Sequence, residues 1–270
     1  IAQCNNIDLN DFESIHTFCQ KNEIELIVVG PEVPLVEGIV DFFISKNIKI
    51  FGPGKFAAQL EGSKGFMKDL CKEYDIPTAV YERFDDEKSA LVFLQTQKTP
   101  IVIKADGLAA GKGVTVAEDS ASAEQAVKEI FSGKFGKEME VVIEEFMEGE
   151  EVSYFICSDG KDFVSLVSAQ DHKRIGEGDT GPNTGGMGAY SPAPIFTQEI
   201  QKQVDEKIIK PTLQAFQDKG YPYKGILYAG LMINNGIAKL VEYNIRFGDP
   251  ECQVLMVRMK SDLLEMMLNS

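Results

Sequence analysis

The chain has 270 residues, 42 of them acidic and 27 basic, which gives a formal net charge of −15. That balance argues against a protein that coats nucleic acid, which needs clustered lysine and arginine, and against docking on an anionic membrane. It leaves room for one small anion held by a few local cations, in a chain long enough for one or two domains with a sizeable core.

Phe12, Ile15, Phe18 and Cys19 recur at helical spacing over 10–21, and Asn10 with Glu13 resembles a capping box at the start. Ile24–Val29 is an apolar run ending at Gly30-Pro31, a buried strand entering a loop. A helical pattern over Leu35–Lys46 and a short strand, Ile48–Phe51, follow. Strand, helix, strand in this rhythm is a βαβ unit with a parallel sheet, and ligands of such sheets sit beyond the carboxyl ends of the strands. The Gly30–Leu35 loop is therefore a candidate binding edge. Ser63 is placed to cap a helix from Lys64 to Tyr74. A second unit follows: a helix near 86–97, strands at Pro100–Lys104 and Val114–Ala117 around a glycine loop, a helix over 121–132 and a strand at Val141–Glu145. Strands are predicted at Val152–Cys157 and Phe163–Ala169, then a long polar loop over 176–188. Thr197 opens a helix that Pro211 should kink. Two strands, Gly225–Ile233 and Ala238–Tyr243, meet at Asn234-Asn235-Gly236, a strong hairpin signal.

No apolar run approaches the length of a membrane span, and no secretory leader is legible. The five cysteines (Cys4, Cys19, Cys71, Cys157, Cys252) are scattered, without a C-x-x-C pair. They read as buried free thiols of a cytoplasmic protein. An initial Ile and a final segment that stops inside a helical pattern together suggest a piece of a longer chain.

Four segments carry chemistry. Ile101–Lys104 is a buried strand ending in lysine, and it runs into Asp106-Gly107 and Gly111-Lys112-Gly113. Glycines let backbone N–H groups approach phosphate oxygens while the lysine neutralises charge; a plain hairpin is the alternative. The loop joins strand to strand and has no Ser or Thr after Lys112, so it is not a Walker A loop. Residues 138–151 hold seven glutamates. A solvated acidic face is the default reading; the other is a linker that offers backbone groups to a base and a carboxylate to a ribose. Gly176–Gly181 fits G-x-G-x-x-G, yet Pro182 follows and no helix opens there, so a dinucleotide site is rejected. His172, in Asp171-His172-Lys173-Arg174, is more often structural than catalytic. Finally, Glu242 and Asn244 alternate on a strand and project to one face. They are hard oxygen ligands suited to Mg²⁺ (or Mn²⁺) shared with phosphates. Arg246 continues that face and could clamp a phosphoryl group. A polar strand face is the alternative.

In series, Gly30-Pro31-Glu32-x-Pro34-Leu35, Gln59–Lys64, Ile103–Gly113, Gln170–Arg174, Thr180–Tyr190 and Glu242–Glu251 resemble the ATP-grasp superfamily. Within it they resemble the phosphoribosylamine–glycine ligases (glycinamide ribonucleotide synthetases). The resemblance covers essentially the whole chain. It implies an α/β fold with α+β lobes: a partial Rossmann-like parallel-sheet domain (1–78), a small ATP-grasp lobe (79–149) and a large catalytic lobe (150–270), incomplete at its end. It implies an ATP-dependent ligase that joins glycine to 5-phosphoribosylamine through glycyl phosphate, a monomer without nucleic-acid or membrane partners. Another ATP-grasp carboxylate–amine ligase, or a nucleotide-binding fragment without turnover, are the competing readings.

The resemblance also assigns roles. Lys64 and Lys104 hold ATP phosphates, and Gly107, Gly111 and Gly113 form the loop closing over them. Glu144, Glu145 and Phe146 form the adenine hinge, and Glu151 binds ribose. Glu242 and Asn244 are the metal ligands. Arg246 and Asp249, with Lys104, serve the acyl-phosphate chemistry. Asp171, Lys173, Asn183, Gly185 and Gly186, with Arg246, line the substrate side, and Gly30, Pro31 and Glu32 the phosphoribosylamine edge. Two departures stand out. Gly230-Leu231 occupies the place where many ATP-grasp enzymes carry another acidic metal ligand. The strand and Arg-Glu-His turn that normally open the family's chain are absent, as is its further C-terminal domain.

Overall fold

The computed structural model describes residues 2–108, 113–136, 139–178, 180–184 and 186–270, without the side chains of Arg174, Pro182 and Asn183. Helix α1 (Phe12–Lys21) is capped by Asp11, whose carboxylate accepts from Ser14 N, one residue later than the expected Asn10. Strand β1 (Leu26–Val28) is shorter than the apolar run that contains it. The helix expected over 35–46 is two: α2 (Glu32–Glu37) and α3 (Ile39–Ser45). Gly38 separates them in the left-handed region, with φ at 96°, a conformation that L side chains resist. Strand β2 (Lys49–Phe51) pairs with β1 in parallel, as the βαβ rhythm implied. Helices α4 (Gln59–Gly62) and α5 (Lys64–Glu73) follow, with Ser63 capping α5 at Phe66 N.

The next sheet is four-stranded. Strand β3 (Tyr81–Phe84), which the sequence did not announce, precedes α6 (Glu87–Leu94), β4 (Ile101–Ala105), β5 (Val114–Ala117), α7 (Ser120–Phe131) and β6 (Val141–Glu145). The strand order is β3-β6-β4-β5, antiparallel throughout. Ile101, Ile103, Ala105, Val141 and Ile143 bury against Ala90, Ala123, Val127 and Ile130 of the two helices, which closes a core of their own. Alternation then turns Val102, Lys104, Val142 and Glu144 to the opposite face.

A third, five-stranded sheet is built from β7 (Glu150–Asp159), β8 (Phe163–Asp171), β11 (Ala189–Tyr190), β12 (Lys224–Asn234) and β13 (Ile237–Asn244), in the order β11-β8-β7-β12-β13. The segment expected to be a loop over 176–188 contains a small antiparallel hairpin, β9 (Arg174–Gly176) with β10 (Thr180–Asn183). Two residues, Asn235-Gly236, turn β12 into β13. Between the sheet's halves, α8 (Gln198–Val204) runs through a π-helical turn, Asp205–Ile209, into α9 (Lys210–Asp218). Lys210 N there bonds Asp205 O. Pro211 has no N–H for an α-type bond to the preceding turn, so a wider turn takes up the mismatch. Helices α10 (Glu251–Arg258) and α11 (Leu263–Leu268) complete the described elements.

The N-terminal elements share one core with this sheet. Phe43, Leu60 and Met67 belong to the same buried cluster as Tyr154, Leu227, Phe216 and Tyr243. Cys19, Cys71 and Cys157 are buried free thiols, but Cys4 is exposed and Cys252 partly so, a correction to the reading of all five as buried. Among the described residues no helix is long and apolar enough to cross a membrane.

Candidate functional site

The face of the four-stranded sheet turned away from α6 and α7 is charged where it is buried. Lys104 is 4% exposed and Glu144 2%. Lys104 Nζ lies 3.0 Å from Glu144 Oε1, yet that oxygen accepts no hydrogen bond, so charge alone relates the two groups. Beside them, Val114 and Val116 are exposed apolar side chains. They pair with Lys104 and Val102 and so share their face. The result is a flat apolar strip next to a buried ammonium, which suits a base followed by phosphates.

The glycine loop is tied to the start of α5. Asp106 accepts from Lys64 N (2.5 Å), Gly65 N (3.2 Å) and Ser63 Oγ (2.9 Å). A carboxylate there meets the positive end of the helix and several of its free N–H groups. Lys64 Nζ donates to Gly107 O at 2.7 Å, and burial pulls its ammonium below the usual lysine range. Lys64, Lys104, Gly107 and Gly113 are thus brought to one region; Gly111 lies outside the described residues.

The five-stranded sheet supplies the facing surface. Register places Ser153 and Glu242 on either side of Gly230, and Asn244 opposite Tyr228. Glu151, Ser153, Tyr228, Gly230, Glu242 and Asn244 therefore share the face opposite the core residues Val152, Tyr154, Leu227, Ala229 and Leu231. A small pocket on it is lined by Glu151, Ser153, Lys173, Tyr228, Gly230 and Glu242. Lys173 Nζ lies 2.8 Å from Glu151 Oε2 and 4.0 Å from Asp171 Oδ1. Burial opposes its charge, but Tyr228, Glu151, Asp171 and Glu242 around it more than offset this and hold Lys173 above the ordinary lysine range. Burial pushes Asp171 up.

Glu242 and Asn244 carry the chemistry for a hard divalent cation. Two oxygen ligands with phosphates and water suffice for Mg²⁺, which keeps much of its hydration shell. Gly230, directly across from Glu242, adds no side chain to that face, and a Cβ there would sit 3.4 Å from Glu242 Cγ. Among the described residues no group of three or more His, Cys, Asp or Glu forms a complete protein cage.

Arg246 is held from three sides: Nε to Glu32 Oε2 (3.1 Å), Nη2 to Glu61 Oε1 (3.1 Å) and Nη1 to Phe247 O (3.0 Å). Glu32, at the start of α2, and the strand-end Arg246 thus meet, although the resemblance put them on separate edges; Gly30 and Pro31 are exposed beside Glu32. Two of the five guanidinium donors remain free. Asp249 Oδ1 accepts from Gln253 at 2.8 Å, at the start of α10.

The loop after β10 closes on the same turn. Thr184 N bonds Lys173 O, and Gly186 N bonds Thr184 Oγ1. At Gly186 φ is 114°, and a Cβ would lie 2.4 Å from Pro250 Cδ. Gly186→Ala should therefore push this loop off the Asp249-Pro250 turn, with a cost of roughly 1–3 kcal/mol in urea unfolding for the strained backbone and overlap. An unchanged midpoint would reject the close approach. Gly185 and the Asn183 side chain lie outside the description. His172 is exposed, its ring 5.8 Å from that of Tyr190.

At the hinge between the sheets, Glu144 points to lysines and Glu145 pairs with Lys239 at 2.9 Å. Phe146 is half-exposed between clefts of about 610 and 310 Å³. Three residues went unassigned in the sequence: Lys68, Glu61 and Glu251. Lys68 is fully buried against Glu144 at 3.1 Å. Glu61 also accepts from Ile245 N at 2.8 Å. Glu251 accepts from Ser153 Oγ at 3.0 Å. Local signal for them was slight: Lys68, for one, lies between Met67 and the acidic Asp69.

Comparison with known proteins bears on this arrangement. The family model described as phosphoribosylglycinamide synthetase, ATP-grasp (A) domain matches residues 62–252, and the N domain of the same synthetase matches 1–61. The chain is 56% identical over 264 residues to a phosphoribosylamine–glycine ligase of Mesorhizobium japonicum, covering 97% of this chain and 62% of that protein. It is 54% identical over 266 residues to the chloroplastic phosphoribosylamine–glycine ligase of Arabidopsis thaliana, covering 97% and 50%. The chain thus spans less than two thirds of these relatives. A crystal structure of the Thermotoga maritima phosphoribosylamine–glycine ligase superposes with TM-score 0.74 at 39% identity, over 77% of this chain and 54% of that one. Biotin carboxylase of Campylobacter jejuni superposes equally well, TM-score 0.74, at 17% identity over 96% and 56%, a likeness of fold alone. The chain belongs to the phosphoribosylglycinamide synthetase family.

Proposed function

We propose that this chain carries the nucleotide-binding and acyl-activating part of an ATP-dependent ligase that joins glycine to 5-phosphoribosylamine, giving glycinamide ribonucleotide, ADP and phosphate in purine synthesis. The observation that carries this reading is the buried Lys104, with Lys64 beside the same glycine loop and Glu242 among the charges that act on Lys64. Identity above half with ligases of that name supports the choice of substrates.

The chemistry divides into two displacements. A glycine carboxylate oxygen attacks the γ-phosphorus of ATP, the bond to the β-phosphate oxygen breaks, and ADP leaves. The amine of phosphoribosylamine then attacks the carbonyl of glycyl phosphate, phosphate departs with its electron pair, and the amide nitrogen loses a proton. Both steps rest on positioning and charge neutralisation. Lys64 and Lys104 hold phosphate oxygens. Arg246 offers its two free N–H groups to the transferred phosphoryl, while Glu32 and Glu61 fix the guanidinium plane. Asp249 orients the turn on which that exchange occurs. The backbone of Glu144 to Phe146 and the Glu151 carboxylate place the adenosine. Asp171, Lys173 and the Asn183–Gly186 loop hold glycine, and Gly30–Glu32 the sugar phosphate. Glu242 and Asn244 would hold Mg²⁺ or Mn²⁺, which supplies neutralisation of phosphate charge when bound. We read the protein as a cytoplasmic monomer, with residues 79–149 as the lobe that closes over the nucleotide.

Calorimetry with Mg·ATP, followed by phosphate release with glycine and phosphoribosylamine, tests the proposal. Binding of Mg·ATP and release dependent on glycine are expected. Release that follows another acid would turn the reading to a different carboxylate–amine ligase, and absence of Mg·ATP binding would overturn it.

A further inference from the structure

Helix α5 carries a buried charge against the four-stranded sheet that the reaction above does not use. Lys68 is 0% exposed. Its Nζ lies 3.1 Å from Glu144 Oε2 and donates to Thr78 Oγ1 at 2.7 Å. Thr78 Oγ1 donates in turn to Leu240 O at 2.7 Å, on the strand that carries Glu242. Glu144 thus stands between two ammoniums, one on each oxygen. The Lys68 side is fixed by the Thr78 bond and by the Tyr81 ring 5.7 Å away. The Lys104 side makes no hydrogen bond.

We propose that Lys68 is a positioning residue: it takes up the charge of Glu144 so that Lys104, held to that carboxylate by proximity alone, stays available to a phosphate. One carboxylate cannot neutralise two ammoniums, so the cluster keeps one positive charge. Both lysines meet Glu144 as ion pairs, but the Thr78 bond anchors Lys68 and no such bond anchors Lys104, so Lys104 is the one that retains it. Without Lys68, the buried carboxylate has a single partner, and Lys104 closes into a full ion pair from which a phosphate must extract it. This inference rests on the reading of Lys104 as a phosphate lysine.

The test measures Mg·ATP affinity by calorimetry, with thermal unfolding of each variant alongside. Lys68→Met keeps the length of the side chain and removes the charge; it should weaken binding by about tenfold. Adding Glu144→Gln to Lys68→Met frees Lys104 again and should restore affinity to within about threefold of the parent. Loss of packing alone would not be repaired by that second change. Unchanged affinity in Lys68→Met, or a double variant no tighter than the single one, overturns the proposal. If Lys68→Met does not fold, Thr78→Val loosens the same ammonium while keeping the volume. It should then weaken binding by about threefold, and parental affinity in that variant overturns the proposal equally. Lys104→Ala separates the two levels: parental affinity there removes the functional reading, whereas weak binding there with parental binding in Lys68→Met removes only this inference.

Discussion

Lys104→Ala should weaken Mg·ATP binding by roughly ten- to a hundredfold, the range for losing a hydrogen bond between charged groups. The fold should survive. Glu144 keeps Lys68 on its other oxygen, so the deletion leaves no unpaired buried carboxylate. Ile101, Ile103 and Ala105 still anchor the strand to its helices. A matched change at Lys88, an exposed lysine of α6, should leave affinity within about twofold, because a surface charge acts weakly through screened solvent. Equal binding by the Lys104→Ala and parent proteins would remove this residue from the nucleotide site.

Arg246→Met should destabilise the chain by an amount that depends on pH. Burial pushes the Glu61 carboxyl up to about 7, against the pull of Arg246 and of the Ile245 N–H. Its folded pKa thus exceeds its unfolded one, so the folded state binds the proton more tightly, and ionising this carboxyl costs stability as pH rises from about 4.5 through about 7. Arg246 offsets that cost only where the carboxylate is charged. Its contribution is therefore present above the folded pKa and is lost as pH falls. At pH 8 the substitution should cost roughly 2–3 kcal/mol in urea unfolding, below the range for a fully buried pair because both side chains keep some solvent. At pH 5.5, with the carboxyl protonated in both proteins, the cost should drop below about 1 kcal/mol. Adding Glu61→Gln should recover most of the loss at pH 8. A cost that is the same at both pH values would show that packing, not charge, is what Arg246 contributes.

Local signals carried much of the fold. The Ser63 cap, the Asn235-Gly236 turn and the βαβ rhythm are short-range chemistry, and they appear where the sequence put them. The common face of Glu242 and Asn244 follows from strand alternation. Elements set by tertiary contact were less legible. Tyr81–Phe84 reads as a polar stretch until Tyr81 and Arg83 find Asp69 on α5. Gly38 splits a pattern that is periodic throughout, because a left-handed residue leaves apolar spacing intact. Lys68, Glu61 and Glu251 escaped for one reason. A buried charge is explained by its partner, and their partners lie 76, 185 and 98 residues away along the chain.

Asp106 belongs to the lobe with its own core, yet its three hydrogen bonds end on Ser63, Lys64 and Gly65, which open a helix of the other core. It is one latch among several between the two cores, beside Asp69 with Tyr81 and Arg83, Lys68 with Glu144, and Lys239 with Glu145. If swinging the lobe open breaks the three Asp106 bonds at about 1 kcal/mol each, together with the other ties, the open form falls below about 1% of molecules. Nucleotide entry then draws on a minority conformation, and the latch sets the apparent affinity as directly as any group that touches phosphate.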